Sequence, residues 1–204
     1  MDTRIGFGWD SHAFKPGVPL RIGGMSLDHP EGLAGHSDGD VLLHAITDAM
    51  LGAVAAGDIG SFFPPGDPRW KDADSAIFLK LALEELEHAG YKILNVDTTL
   101  VLAAPKIGPI AGEMRARVAD LLGVDLSQVS IKAKTPEGLG LDHVAQCHAV
   151  VLVEKLADEE ELKRMEAVIE TQKQLEDVVE DLLSSVHGVP KKRGAPIFDT
   201  EDIT

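Results

Sequence analysis

The chain has 204 residues, 44% of them hydrophobic, 26% charged and 4% aromatic, which is enough for one ordinary core and a small additional element. With 34 acidic residues against 19 Lys and Arg, its formal net charge is −15, the wrong sign for a surface that tracks a nucleic-acid backbone. The single cysteine, Cys147, excludes an internal disulfide framework and a thiolate metal knuckle, so a bound metal would be held by His and carboxylates.

The N-terminal residues enter strand-like sequence at once, without a signal core or transit-like stretch, and no long apolar run spans a membrane. A soluble, cytoplasmic protein without membrane or nucleic-acid partners is the expectation.

In chain order, Ile5 to His12 reads as a strand, Lys15-Pro16-Gly17 as a turn, and Leu20 to Leu27 as a hairpin around Gly23-Gly24. From Asp38 the period changes. Val41, Leu42, Ala45, Ile46, Ala49 and Ala53 recur at three and four, predicting a helix that closes at Gly57. Residues Ile59 to Lys71, rich in proline and glycine, predict a loop able to act as an active-site flap. Helices follow over Ala73–Ala89 and Pro109–Leu122, and strands over Ile93–Ala103, Val129–Lys134 and Ala145–Glu154. Strands separated by crossover helices predict an α+β (α/β) sandwich, with a sheet covered by helices on one face.

Residues 158–204 differ in kind, carrying 13 acids and 6 bases. Leu162, Met165, Ile169, Leu175, Val179, Leu182 and Val186 predict an amphipathic helix over Asp158–Val186, its stripe interrupted at Gln172. The end after Gly188-Val189-Pro190 reads as disordered. Two domains are therefore expected, 1–157 and an acidic helical extension, 158–204.

The chemistry-bearing residues fall into short groups. On a strand, Asp10 and His12 share a face, which suits a divalent metal. In Gly35-His36-Ser37-Asp38-Gly39-Asp40, Ser37 three residues before Asp40 resembles a capping box, placing helix N–H groups beside His36 where an oxyanion fits. Asp40, His44 and Asp48 then follow at i and i+4 along one stripe. A capped helix with a solvated polar face is the other reading of this segment.

Asp10, His12 and His44, two His and one Asp from two elements, are a candidate ligand set with an open coordination position, and Asp40 or Asp48 is a candidate to orient a ligand imidazole. Asp58, between a helix end and the Pro-rich loop, could accept hydroxyl protons. Lys134, Thr135 and Glu137 leave a strand into a tight turn, where a hydroxyl and a carboxylate could meet a diphosphate and its magnesium. Ala104-Pro105-Lys106-Ile107 joins a strand to a helix and could read a planar ring edge. Ordinary turn chemistry accounts equally well for Asp58 and for the Thr135–Glu137 turn, and an ordinary strand-to-helix loop is the favoured reading of Ala104–Ile107 taken alone.

Together the opening R-I-G-x-G-x-D-x-H, the block G-H-S-D-G-D-V-x-x-H-A-x-x-D-A-x-L-G-A, and the later G-D-I-G-x-x-F-P, D-P-x-W-K-x-A-D-S, A-P-K and T-x-E-G-L-G resemble the 2-C-methyl-D-erythritol 2,4-cyclodiphosphate synthase family over about residues 3–155. The resemblance implies that Asp10, His12 and His44 hold zinc. It implies that His36 and Ser37 contact the erythritol phosphate, and that Asp58, Ile59 and Gly60 clamp the erythritol hydroxyls. By the same resemblance Ala104, Pro105, Lys106 and Ile107 form the cytosine pocket, while Lys134, Thr135 and Glu137 hold the cytidine diphosphate, Glu137 through Mg2+ or Mn2+. Thr135, His36 and Asp58 are the expected catalytic residues. The implied reaction converts 4-diphosphocytidyl-2-C-methyl-D-erythritol 2-phosphate into the cyclodiphosphate and CMP. The implied assembly is a homotrimer, its sheets arranged about the three-fold axis and its active sites lying between subunits.

Two departures accompany the resemblance. Pro65 stands where many members have Asp. The usual Phe and Arg after Glu137 are absent from Gly140 to Val144, and that Arg lines an anion-binding cavity on the trimer axis; His143 is the nearest substitute. A fused cytidylyltransferase domain, found in some relatives, is not expected. A zinc phosphohydrolase and a non-catalytic metal- or nucleotide-binding scaffold are the competing readings of the same residues.

Overall fold

The computed structural model describes residues 2–157 and 159–187. These fall into two units divided after Leu156.

The first unit is built on a mixed five-stranded sheet. The strands are β1 (Thr3–Pro16), β4 (Glu31–Leu33), β5 (Tyr91–Val101), β6 (Val129–Lys134) and β7 (Val144–Lys155), in the order β4-β1-β7-β5-β6. β7 is antiparallel to both β1 and β5, and β5 runs parallel to β6 through a crossover that carries α4 (Ala111–Leu122). One row of the sheet reads Asp10, Cys147, Leu100, Ala133 from β1 to β6. A separate two-stranded hairpin, β2 (Leu20–Ile22) and β3 (Met25–Leu27), turns at Gly23-Gly24. Both glycines have positive φ, 65° and 71°, which a two-residue hairpin turn demands and which side chains resist.

α1 (Val41–Ala53) is apolar nearly all round and correspondingly buried, packed between β1 and β7 on one side and α3 (Ser75–His88) on the other. Two glycines allow it to lie directly on the sheet. A Cβ at Gly6 would sit 1.7 Å from the Ala49 carbonyl oxygen, and one at Gly8 2.0 Å from that of Ala45. The close approach brings the helix backbone against β1, which is why side chains further along both elements can converge.

The helices cover one face. On the other, Ile5, Phe7 and Trp9 of β1 are 69%, 62% and 48% exposed, and Val150 of β7 lies across from Phe7. The β5–β6 side of that face is polar, with Lys132 paired to Asp97.

Most elements fall where the periodicity puts them, with specific differences. β1 runs on through Lys15-Pro16 because its end pairs with β4, a three-residue strand with no periodic signal of its own. α1 ends at Ala53 rather than Gly57. The loop Ile59 to Lys71 contains a helical turn, α2 (Ile59–Phe62), and a 3-10 turn at Pro68–Trp70, each capped by an aspartate, Asp58 and Asp67.

The capping box expected at Ser37 is absent. Asp40 caps α1, because its buried carboxylate accepts from the backbone N–H groups of Leu42 and Leu43 and also from those of Gly23 and Gly24, 2.7 to 3.1 Å away. Asp40 therefore ties the β2–β3 turn to the helix start and takes no part in a stripe with His44.

The second unit contains α5 (Glu159–His187). Met165, Val168, Ile169, Leu175, Val179 and Leu182 are exposed along it. The segment read as disordered, after Gly188, lies outside the described residues.

Candidate active site

Asp10 and His12 project from β1 on the face that carries α1, and His44 comes down from α1 to meet them. His12 Nε2 is 2.8 Å and His44 Nδ1 3.0 Å from Asp10 Oδ2, and the two ring nitrogens are 3.1 Å apart. Ligand atoms about 2.0–2.1 Å from a tetrahedral zinc lie roughly 3.3 Å from each other, so this triangle is close to the size that ion needs. The three ligands come from two elements and face a cavity, which leaves a coordination position for a further oxygen. Asp10, His12 and His44 are the one group of this kind among the described residues.

The electrostatics follow from the crowding. Burial works to raise the Asp10 carboxyl, but hydrogen bonds and charge from His12 and His44 outweigh it and hold the group well below the usual carboxylate range. Burial likewise works to lower His12, and its contacts with Asp10 prevail and raise it.

The cavity, about 280 Å3, is lined by the triad together with His36, Ser37, Ile59, Gly60 and Pro65, and by the aromatic cluster Phe63, Trp70 and Phe78. Phe63 and Phe78 stack with centroids 4.5 Å apart. Asp48, the last member of the expected stripe, accepts the Ile59 N–H at 2.7 Å and so anchors the cavity wall, not a ligand imidazole. Asp58 is exposed and does not line the cavity; its carboxylate takes the Ser61 N–H and hydroxyl.

Two residues that the sequence reading passed over stand behind His44. Ser75, fully buried at the start of α3, has its Oγ 2.8 Å from His44 Nε2 and donates to Asp38 Oδ1. Both lie inside motifs quoted for the family resemblance, and that was the available signal. Ser37 Oγ is 3.1 Å from the same His44 nitrogen.

A second cavity, about 290 Å3, opens beyond the carboxyl ends of the parallel pair β5 and β6, where α/β sheets commonly bind ligands. Pro105, Lys106, Ile107, Lys134 and Thr135 line it, so the structure brings together two segments that are thirty residues apart. Leu102 N–H donates to the Lys134 carbonyl at 3.1 Å and joins the two walls. Thr135 donates its hydroxyl to the Glu137 carboxylate, and Glu137 has a φ of 50°, unusual for a residue with a side chain. Ala104 is exposed and does not line it.

The two cavities share no lining residue. Asp10 and Ala133, one lining each cavity, stand three strands apart on one row of the sheet, roughly 14 Å at about 4.8 Å per strand.

Comparison with known proteins agrees with this architecture. The YgbB family model matches residues 3–154. The 2-C-methyl-D-erythritol 2,4-cyclodiphosphate synthase of Koribacter versatilis is 62% identical over 152 residues, covering 74% of this chain and 98% of that protein. The synthase of Moorella thermoacetica is 52% identical over 137 residues, 67% of this chain and 84% of that protein. A solved 2C-methyl-D-erythritol-2,4-cyclodiphosphate synthase in a CDP-bound form superposes with a TM-score of 0.71 at 40% identity, covering 74% of this chain and all of that one. The chain belongs to the YgbB family.

Proposed function

We propose that this protein is a phosphorus–oxygen lyase that converts 4-diphosphocytidyl-2-C-methyl-D-erythritol 2-phosphate into 2-C-methyl-D-erythritol 2,4-cyclodiphosphate and CMP, a step of isoprenoid precursor biosynthesis. The observation that carries the reading is the convergence of Asp10, His12 and His44 on a cavity walled by His36, Ser37, Ile59 and Gly60, in a chain 62% identical to a named synthase.

In the reaction an oxygen of the 2-phosphate attacks the β-phosphorus, the bond from that phosphorus to the oxygen bridging the α-phosphate breaks, and CMP leaves. No protein nucleophile is required, so the site acts by holding two phosphates in line and offsetting their charge. Zinc at Asp10, His12 and His44, and Mg2+ or Mn2+ at Glu137 by way of the diphosphate, would supply Lewis-acid polarisation and charge neutralisation. This also reconciles a net charge of −15 with a polyanionic substrate.

His36 and Ser37 donate hydrogen bonds to the erythritol phosphate. Asp58 accepts an erythritol hydroxyl proton, with the Ile59 and Gly60 backbone completing the clamp. The cytosine lies against Ala104, Pro105, Lys106 and Ile107. Lys134 and the Thr135 hydroxyl meet the diphosphate, Thr135 oriented by Glu137. His36, Asp58 and Thr135 are the groups in closest service to the reacting atoms.

Three copies share the work. The two cavities share no lining residue, and this is consistent with a site completed by a neighbouring copy's nucleotide cavity. The apolar row Ile5, Phe7 and Trp9 supports burial of the open sheet face about a three-fold axis. Residues 1–157 form the catalytic domain and 158–204 an extension whose helix packs on the trimer or docks a partner. The lone, buried Cys147 is consistent with a reducing, cytoplasmic setting. No helix of the described residues is long and apolar enough to cross a membrane.

The test is incubation of the purified protein with the substrate, zinc and magnesium, with products followed by phosphorus NMR beside a His44→Ala control. Cyclodiphosphate and CMP in equal amounts, lost in the control, support the assignment. Release of inorganic phosphate would point to a hydrolase, and intact substrate to a binding scaffold.

A further inference from the structure

The exposed apolar residues of α5 keep a register. Met165, Val168, Gln172, Leu175, Val179 and Leu182 are spaced alternately three and four apart, the a and d repeat of helices that wind around one another, and the sequence continues the spacing to Val186. With Val168 counted, Gln172 falls inside the seam instead of breaking it. Ile169, Val178 and Leu183 widen the stripe at the flanking e and g positions. Of the charged residues between Met165 and Leu183, Glu166, Glu170, Lys173, Asp177, Glu180 and Asp181 lie at b, c or f, and Glu176 alone flanks the stripe, at e.

The eight large apolar side chains of this face are each between 46% and 65% exposed in the single chain. At about 100 Å2 apiece they present roughly 800 Å2, which is what one partner contributes to a stable interface of standard size. A seam of period 3.5 fits another helix of the same period, and a second copy of this chain supplies one. Gln172 decides how the copies align. Its amide has two N–H groups and an acceptor oxygen, and one N–H reaches Glu176 at 3.4 Å within the helix. In antiparallel pairing an a residue packs beside d residues of its neighbour, here Val168, Leu175 or Leu182, which offer the amide no partner. With the helices parallel and in register, Gln172 meets Gln172 and donors face acceptors. Val179 at a with Leu182 at d would by itself suit two strands, but the apolar e and g positions need a third helix to cover them.

We propose that α5 winds with the α5 helices of two further copies of this chain into a parallel, in-register three-stranded coiled coil. The inference rests on the three-copy reading of the open sheet face and deepens it. β7 carries Val150, across from Phe7 on that face, and ends at Lys155, with three residues between it and the start of α5 at Glu159. Copies that meet through the open face therefore also bring together the starts of their α5 helices. Tethered in this way, the helices meet at an effective concentration in the millimolar range. Two to three heptads are too few to hold separate chains together, so the sheet face assembles the three copies and α5 locks them.

The test uses the full chain with one added cysteine, Leu175→Cys at d or Lys173→Cys at b, treated with oxidised glutathione and run on non-reducing gels. Cys147 is buried, and the unsubstituted chain gives the background. Leu175→Cys should cross-link about tenfold or more faster than Lys173→Cys, because only sulfurs facing the seam come within disulfide reach of one another. One disulfide in a three-chain bundle leaves one thiol over, so the two-chain product should level off at about two-thirds of the chains. Should Leu175→Cys lose helix by circular dichroism, Val179→Cys, at a, takes its place. Equal rates at positions 173 and 175, in a protein whose mass by light scattering is that of three chains, overturn the coiled coil and leave the three-copy reading standing. Cross-linking that runs to completion in the same protein overturns the third strand. A mass of one or two chains for the unsubstituted protein overturns the three-copy reading itself, and the coiled coil with it.

Discussion

Gly8 lies directly beneath Ala45, so close that a Cβ on the glycine would be 2.0 Å from the Ala45 carbonyl oxygen and 2.7 Å from the Ala49 nitrogen. Those atoms are backbone and cannot swing aside, so Gly8→Ala must push α1 off β1. Since His44 precedes Ala45 and Asp10 follows Gly8 on its face of the strand, the displacement also opens the ligand triangle. Gly8→Ala should cost about 3 kcal/mol or more in urea unfolding and weaken the zinc binding proposed for that triangle at the same time. A variant as stable as wild type, binding zinc normally, would contradict this account of the packing.

Asp48 supplies the pH prediction. Its half-buried carboxyl is raised above the usual value, chiefly by burial and then by the charges of Asp58 and Asp10, against a lowering hydrogen bond from Ile59. A carboxyl raised in the folded state binds its proton more tightly there than in the unfolded chain. Its burial therefore costs nothing below the unfolded value, and the cost appears as pH rises through the raised folded one. Asp48→Asn keeps an acceptor for the Ile59 N–H and cannot ionise. Its stability relative to wild type should improve between pH 4 and pH 8, as measured by denaturant unfolding at each pH, and a gap independent of pH would refute the assignment.

The open sheet face gives a third expectation. Phe7, 62% exposed, stands in the middle of the apolar row, and a carboxylate there would be buried without a partner in any assembly formed through that face. Phe7→Glu should lower the mass by light scattering to that of a single chain. Its secondary structure should be unchanged, and turnover should fall at least 100-fold if, as proposed, each cavity is completed by a neighbouring copy. Persistence of a trimer in Phe7→Glu would move the interface elsewhere.

The extension should be dispensable for chemistry. The Koribacter versatilis relative is matched over 98% of its length by 152 residues of this chain. A chain of residues 1–157 should keep kcat/KM within about threefold of the full protein. A fall in Tm or in oligomer mass on truncation would identify α5 as part of the assembly, whereas no change in either would remove the packing role and leave partner docking.

The sequence made the strong periodic elements legible, because α1 and the long strands each bury a face and must repeat apolar residues to do so. β4 was hidden because three residues are too few to show a period, and they form a strand only where the end of β1 offers them a partner. The convergence of Asp10, His12 and His44 was readable from Asp10 and His12 alternating along a strand and His44 one turn into a helix. The capping of α1 was not, because Asp40 is claimed by N–H groups of a hairpin sixteen residues away. Ser75 and Asp38 escaped for the same reason. Their meaning lies in a contact across 37 residues that no local pattern encodes.

Cys147 lies in the central strand β7, flanked by Asp10 on β1 and Leu100 on β5, with its thiol buried and pushed up by that burial and by the nearby charges of Asp40 and Asp10. A thiol held protonated and out of reach is unreactive toward alkylating reagents until its strand separates from its neighbours. Being the only sulfhydryl in the chain, it is a built-in clock. The rate at which iodoacetamide labels the intact protein, divided by the rate for the unfolded chain, gives the equilibrium for opening the middle of the sheet. A metal held by Asp10, His12 and His44, as proposed, would tie β1 to α1 immediately beside Cys147 and should slow that clock in proportion to its occupancy.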